Sequence, residues 1–490
     1  MRRILLPLLL VFTARAADDV ESVMKQFIDA YAAVEQNSAD PVTSEQLLYQ
    51  GAIPGLLRRL DPHSVFFDPG QFEQLRKMEN STQKGFGSVV SVLPGRVIVL
   101  QTLPGTPSAK SGLSPGDEIV AINGYIIARL EMEQLVQLLS QSKQQPARLD
   151  VRRPGNAMIM HFVLTPEDMQ SPSVERAFML RPAIGYLRVA SFDEATGKQI
   201  QEATEKLGGA KLNGLVLDLR NNPGGLLTSA LYTLSLFLPP GTKLVTVRGR
   251  AVEEKTEVVP KTATPYTFPI AVLINGKSAS ASEIVSGALQ DHDRATIIGE
   301  PSFGKGLVQS VYPLSQGAGL ALTTALYYTP SGRSIQKPFD PNQFALGTTS
   351  AHPNKEKEFH TDKGRVVTGG GGIQPDFVVL PEGMTRLRAA LEASGSFTNF
   401  ATAYVQKNKV TENFEVTPHL LDEFQVFLSE RNIQPSVAEW SSERDFIQNR
   451  LKTEIFNQAL GVEKGDQVEA QRDPQVLKAL DVIATANARK

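Results

Sequence analysis

The chain has 490 residues, 41% of them hydrophobic and 21% charged, with a net charge of −2; this is the make-up of a soluble globular protein with room for roughly two to four domains. That balance excludes a basic field for nucleic acid and a strong acidic bias. There is no cysteine, which excludes disulfides, thiol nucleophiles and cysteine-ligated metals.

The chain opens on Arg2 and Arg3, a short apolar run from Ile4 to Phe12, and Ala14-Arg15-Ala16. A charged start, a run too short to span a bilayer and a small-x-small site predict a secretory signal peptide over residues 1–16. No lipidation cysteine follows, so no lipid anchor is expected. The mature protein is expected outside the cytoplasm, in a periplasm or secreted further. Val20, Met24, Phe27, Ile28, Tyr31 and Val34 fall at helical spacing, and so do the leucines of 44–60. "LDPHSVFFDPGQF" then reads as an aromatic turn between helices, so 17–80 is a helical N-terminal region. From 81 to 167 the pattern is short strands, a hairpin turn at Asn123-Gly124 and one helix. From 168 to 380 strands alternate with helices. "LNGLVLDLR", "PIAVLING" and "ATIIGE" are near-continuous apolar runs, as in a largely parallel or mixed sheet covered on both faces. Residues 381–490 return to helix, with Asp473 capping a last helix that has Pro474 in its first turn.

Several chemistries lack their signatures. None of the six histidines lies in H-E-x-x-H, and neither a phosphate-binding G-x-x-x-x-G-K-[ST] loop nor a G-x-S-x-G elbow occurs. A Ser-His-Asp triad remains open, with His292 the nearest histidine to the serine cluster. Ser140 and Lys143 form an S-x-x-K without its partner motifs. Three segments stand out. In "SASASEI" Ser280 begins a capping box with Glu283, and a helix start also offers free N–H groups to an oxyanion. Lys305 sits between Gly304 and Gly306, with Phe303 and Leu307 beyond; close backbone and apolar neighbours can desolvate an ammonium enough to make it a base. "LDLRNNPGG" is a buried strand running into a glycine turn at the end of a sheet where α/β folds place ligands.

Together with "DPHSVFFDP", "YYTPSGRSIQ" and "GGGGIQPD", these segments resemble the carboxyl-terminal processing peptidases, or tail-specific serine proteases, over roughly residues 60–380. The resemblance implies an α/β multidomain fold: a crotonase/ClpP-like α/β protease core at 168–380, an inserted or preceding PDZ domain at 81–167, and helical N- and C-terminal regions. It implies Ser280 as nucleophile, Lys305 as general base and Gln309 as the lysine's support. The oxyanion hole would be the Ala281 N–H and a glycine of the N-P-G-G turn, Gly225 or alternatively Gly224. Gly85, Phe86 and Gly87 match the loop by which PDZ domains capture a free C-terminus. No metal or other cofactor is implied. The partners would be protein or peptide substrates with free apolar C-termini, with room for an adaptor or activator and for a homo-oligomer through the helical regions. Two other classes compete: a catalytically inactive PDZ adaptor, against which the intact serine, lysine and glutamine argue, and a crotonase-type acyl-CoA enzyme, against which the export signal argues.

Overall fold

The computed structural model describes residues 14–79, 82–143, 145–170, 172–339 and 358–489. The expected signal peptide lies mostly outside the described residues; only Ala14–Ala16 are seen, at the start of the helix Ala14–Asn37. The chain divides into two compact units, one of Met1–Glu73, Val308–Thr324 and Pro338–Ser350, the other of Gln74–Leu307, Ala325–Lys337 and Ala351–Lys490.

The first unit joins the N-terminal helices to a hairpin taken from far along the chain. The stretch expected as one helix over 44–60 is split into a π-helical segment, Gln46–Ala52, and an α-helix, Ile53–Arg58. Pro54 has no N–H to give to the preceding turn, and the helix widens before it. The aromatic turn expected in "DPHSVFFDP" contains a strand instead. Val65–Phe67 pairs antiparallel with Gly319–Ala321, which offers it partners that no local pattern announces. Asp61 folds the approach to this strand, accepting from the N–H of His63 and Ser64 and from the Ser64 hydroxyl.

The second unit contains three packed regions. Its central sheet runs in the order Val174–Arg181, Ile184–Val189, Gly214–Asp218, Ile270–Ile274, Ala295–Gly299, Phe377–Val378. The first pair is antiparallel and every later pair parallel. The apolar runs are fully buried here, as the sequence pattern predicts: all five residues of Gly214–Asp218 and of Ile270–Ile274. One face packs Val216, Ala271, Leu273 and Ile298 against Val476, Ala479 and Ile483 of the last helix, Pro474–Ala488. Asp473 caps that helix by accepting from the N–H of Gln475 and Val476.

Before this sheet in the chain comes a second six-stranded one, ordered Ser88–Leu93, Arg96–Thr102, Glu118–Ile122, Ala147–Arg152, Ile159–Leu164, with Tyr125–Ile126 also paired to Glu118–Ile122 and with the helix Met132–Ser142. Asn123 and Gly124 both take positive φ (52° and 84°), as a two-residue hairpin between Ile122 and Tyr125 requires. Among the described residues Ser88–Leu93 is an edge strand, paired on one side only. After the central sheet, helices from Arg386–Ala393 to Val437–Ala459 enclose their own core of Leu391, Phe397, Phe424, Leu428, Ile447 and Leu451.

Candidate active site

Ser280 stands between the buried strand Ile270–Ile274 and the helix Ala281–Asp291. Its backbone adopts φ 54°, ψ −113°, a conformation that costs a non-glycine residue of order 1–3 kcal/mol. Although G-x-S-x-G is absent from the sequence, this is the same device: a strained strand-to-helix turn that lifts a serine out of the backbone. The surroundings over-determine it. Ser278 and Ser282 are buried and give their hydroxyls to backbone carbonyls, Ser278 to Leu219 (2.7 Å) and Ser282 to Asn222 (3.0 Å). Ser280 is the half-buried one of the three.

Glu283 closes the turn. Its side chain is fully buried and accepts four hydrogen bonds. Oε2 takes the N–H of Ser280 (2.9 Å) and of Lys305 (2.9 Å); Oε1 takes the N–H of Gly304 (2.7 Å) and the Ser302 hydroxyl (2.5 Å). Burial pushes its carboxyl above the ordinary value, and the hydrogen bonds from Ser302, Lys305, Gly304 and Ser280 pull it only part of the way back. The Tyr327 hydroxyl adds a second bridge, donating toward the carbonyls of Lys305 (2.7 Å) and Ser280 (3.2 Å). Two residues twenty-five positions apart thus share one carboxylate oxygen and one hydroxyl.

The lysine loop depends on its glycines. Gly304 has φ 91°, and a Cβ there would lie 2.6 Å from Lys337 Cγ. A Cβ on Gly306 would lie 2.9 Å from the Gln336 nitrogen. Of the two apolar neighbours expected to shield the lysine, Leu307 is buried but Phe303 is 46% exposed, because Ser302 is the side chain that turns inward to Glu283. Gln309 falls in the other compact unit, where its Nε2 donates to the His63 carbonyl (2.6 Å).

The glycine turn lies directly against the serine. A Cβ on Gly224 would come within 2.8 Å of Ser280 Cβ and of the Ala281 nitrogen, and one on Gly225 within 2.0 Å of the Phe192 carbonyl oxygen. The Gly224 N–H is already given to Asn222 Oδ1 (2.8 Å). No acceptor is found among the described residues for the Gly225 N–H or the Ala281 N–H. Gly225 is exposed. Buried Asn222 ties the two turns together: its carbonyl accepts from the Ala279 N–H (3.0 Å) and its Nδ2 donates to Val189. The triad alternative built on His292 fails on distance. His292 caps the far end of the Ser280 helix, roughly 17 Å along the axis at 1.5 Å per residue, and binds Asp362 and the Lys243 carbonyl.

Just ahead of the strand Ser88–Leu93, Phe86 and Gly87 are held by their carbonyls: Phe86 accepts from the Ser108 N–H (2.9 Å) and Gly87 from the Leu103 N–H (2.8 Å). Their own N–H groups find no acceptor among the described residues. Gly87 has φ 75°, and a Cβ would lie 2.2 Å from Thr106. Gly85 ends the strand Thr82–Gly85, opposite Glu167.

No cluster of metal ligands is found among the described residues. Signals for Ser280, Lys305 and the glycines stood in the sequence. Glu283 was legible only as a helix cap, and Tyr327 and Asn222 carried no signal of their own.

Comparison with known proteins agrees with this architecture. Residues 183–345 match the model of peptidase family S41, and residues 98–153 match a PDZ domain. A carboxy-terminal-processing protease of Bartonella bacilliformis is 38% identical over 328 residues, covering 66% of this chain and 72% of the relative. One from Synechocystis sp. is 35% identical over 292 residues, covering 58% of this chain and 68% of the relative. A solved photosystem II D1 C-terminal processing protease is 26% identical, with a TM-score of 0.38, covering 72% of this chain and 92% of that one. With a PDZ domain ahead of an α/β core and identity sustained over most of the relatives' length, the chain belongs to the carboxy-terminal processing proteases, serine-type peptidases of family S41.

Proposed function

We propose that Ser280 is the nucleophile and Lys305 its general base, in an exported endopeptidase that acts on proteins presented by their C-termini. One observation carries the reading. Glu283 Oε2 holds the backbone N–H of both residues, so a serine on a strained turn and a lysine on a glycine loop are fixed to a common atom. In this reading neutral Lys305 takes the Ser280 proton as Oγ attacks the scissile carbonyl. The oxyanion is received by the unoccupied N–H groups of Ala281 and Gly225; Gly224 is the weaker candidate because Asn222 already holds its N–H. The lysine returns its proton to the leaving amine and then activates the water that opens the acyl-enzyme. Gln309 is the candidate support for the lysine, four positions beyond it in the sequence.

The unused N–H groups of Phe86 and Gly87, beside the one-sided strand Ser88–Leu93, support capture of a free C-terminal carboxylate with the peptide added as a further strand. Export rests on residues 2–16 and places the enzyme in a periplasm or beyond. Val20, Val23, Met24, Phe27 and Ile28 form an exposed apolar stripe that would carry a homo-oligomer, or an adaptor or activator, on the N-terminal helix.

The test is proteolysis of a loosely folded protein ending in a free apolar carboxylate, beside its amidated twin. Cleavage by the wild type that is lost in Ser280→Ala and Lys305→Ala is the expected result. A preference for the free carboxylate assigns the Phe86–Gly87 loop. Equal cleavage by Ser280→Ala overturns the mechanism, and inactivity of every form with peptide binding intact points to the adaptor.

A further inference from the structure

At the end of the central sheet opposite Ser280, where the strands Ile270–Ile274 and Ala295–Gly299 begin, lies a cavity of about 1310 Å³. Phe237, Ile270 and Val482 give it an apolar wall; Arg294, Arg333, Lys363 and Arg489 give it a cationic one. The acids in the wall, Asp293 and Asp376, are both bound by Arg365. Among the described residues Arg294, Lys363 and Arg489 make no ion pair with a carboxylate.

Arg294 is the unusual member. Its Nε donates to the Phe237 carbonyl (2.9 Å), and its Nη2 donates to those of Tyr266 (2.7 Å) and Phe268 (2.9 Å). Three of its five donors are thereby used. The two on Nη1 find no acceptor among the described residues. Burial without a counter-charge pulls its pKa down to about 10, yet it stays charged at neutral pH. A half-buried cation whose hydrogen bonds among the described residues go only to neutral carbonyls leaves its charge unmatched, and an anion would balance it. The fully buried Arg333 is paired with Asp291, yet its Nε–H finds no partner among the described residues.

We propose that this cavity is a second, non-catalytic ligand site for a carboxylate carried on an apolar group, with Arg294 as its main contact. The planar fork of a guanidinium suits a carboxylate, and the apolar wall favours one with a hydrocarbon body over inorganic phosphate. That chemistry has two sources: the free end of a peptide, or a small organic acid.

Calorimetric titration of the full chain with 4-phenylbutyrate and 4-phenylbutyramide tests it. Saturable binding of the acid, at least about tenfold tighter than the amide, is expected. Arg294→Gln should weaken the acid by a similar factor. Because Arg294 also ties three carbonyls together, Ala486→Trp, which puts an indole into the cavity from the last helix, serves as the second variant and should weaken binding at least about tenfold. Arg489→Glu should weaken it less. An acetylated tripeptide acid that displaces phenylbutyrate identifies a peptide end as the occupant; failure to displace it identifies a small acid. Equal binding of acid and amide, absence of saturable binding, or binding unchanged in Ala486→Trp overturns the proposal, the last by placing the carboxylate elsewhere, as on the Phe86–Gly87 loop.

Discussion

The Ser280 turn and the Phe86–Gly87 loop both offer unoccupied backbone N–H groups, yet they are built in opposite ways. Around Ser280 the positions are fixed by buried side chains: Glu283 on four donors, Asn222 across two turns, Ser278 and Ser282 on carbonyls. Around Gly87 the loop hangs by two backbone bonds next to a one-sided strand. The first construction suits a reacting atom that must be placed within a fraction of an ångström. The second suits a ligand that brings its own strand and can vary in sequence.

The hardest blow to the contrast is removal of Glu283. Glu283→Ala orphans four donors at once, two of them buried, and should cost about 3–5 kcal/mol of stability along with activity, read by urea unfolding and peptide cleavage. Glu283→Gln separates charge from shape and carries a pH signature. The wild-type carboxyl has a folded pKa above its ordinary 4.5, so the folded state holds the proton more tightly. Its contribution to stability is therefore fully present below 4.5 and is lost as pH rises through the raised value, a fall that the glutamine variant should not show. Parallel pH profiles for the two chains would mean that burial at Glu283 has no such effect.

The next test places one methyl group in each region. Gly224→Ala sets a Cβ against Ser280 and Ala281 at a positive φ, and kcat should fall about 100-fold, the scale of one lost oxyanion donor. Gly87→Ala meets Thr106 at 2.2 Å, also at positive φ, but the loop has few other ties and can shift. Affinity for a free-carboxylate peptide should drop about tenfold, while kcat on a short amidated peptide stays as it was. A kcat loss in Gly87→Ala would show that the two regions are coupled.

These predictions also mark what could be read beforehand. Parallel strands declared themselves as apolar runs because both faces are covered, and Ser280 and Lys305 sat in stretches whose glycines and cap had local reasons. Glu283 declared only its local half. Its other partners, Ser302, Gly304 and Lys305, lie about twenty residues on and are returned by a strand and its following loop, so no periodicity links them. Val65–Phe67 was misread for the same reason, since its partner strand begins at Gly319. The strain at Ser280 is a backbone property that no residue type encodes, because the turn achieves it without G-x-S-x-G.

The smallest expected effect sharpens the contrast from the recognition side. Lys110 and Glu167 pair at 3.4 Å beside the Gly85 strand, with side chains 60% and 53% exposed. An ion pair so open to water is worth well under about 1 kcal/mol, so Glu167→Gln should move the unfolding midpoint almost not at all. It does release Lys110 and remove a negative charge opposite Gly85. Binding of a free-carboxylate peptide should then tighten by no more than about twofold at low salt, and the gain should vanish as the Debye length shrinks to about 8 Å at 0.15 M. The same carboxylate-for-amide exchange at Glu283 is the larger effect, because there two acceptor oxygens serve four donors and water cannot stand in for the one that the amide removes.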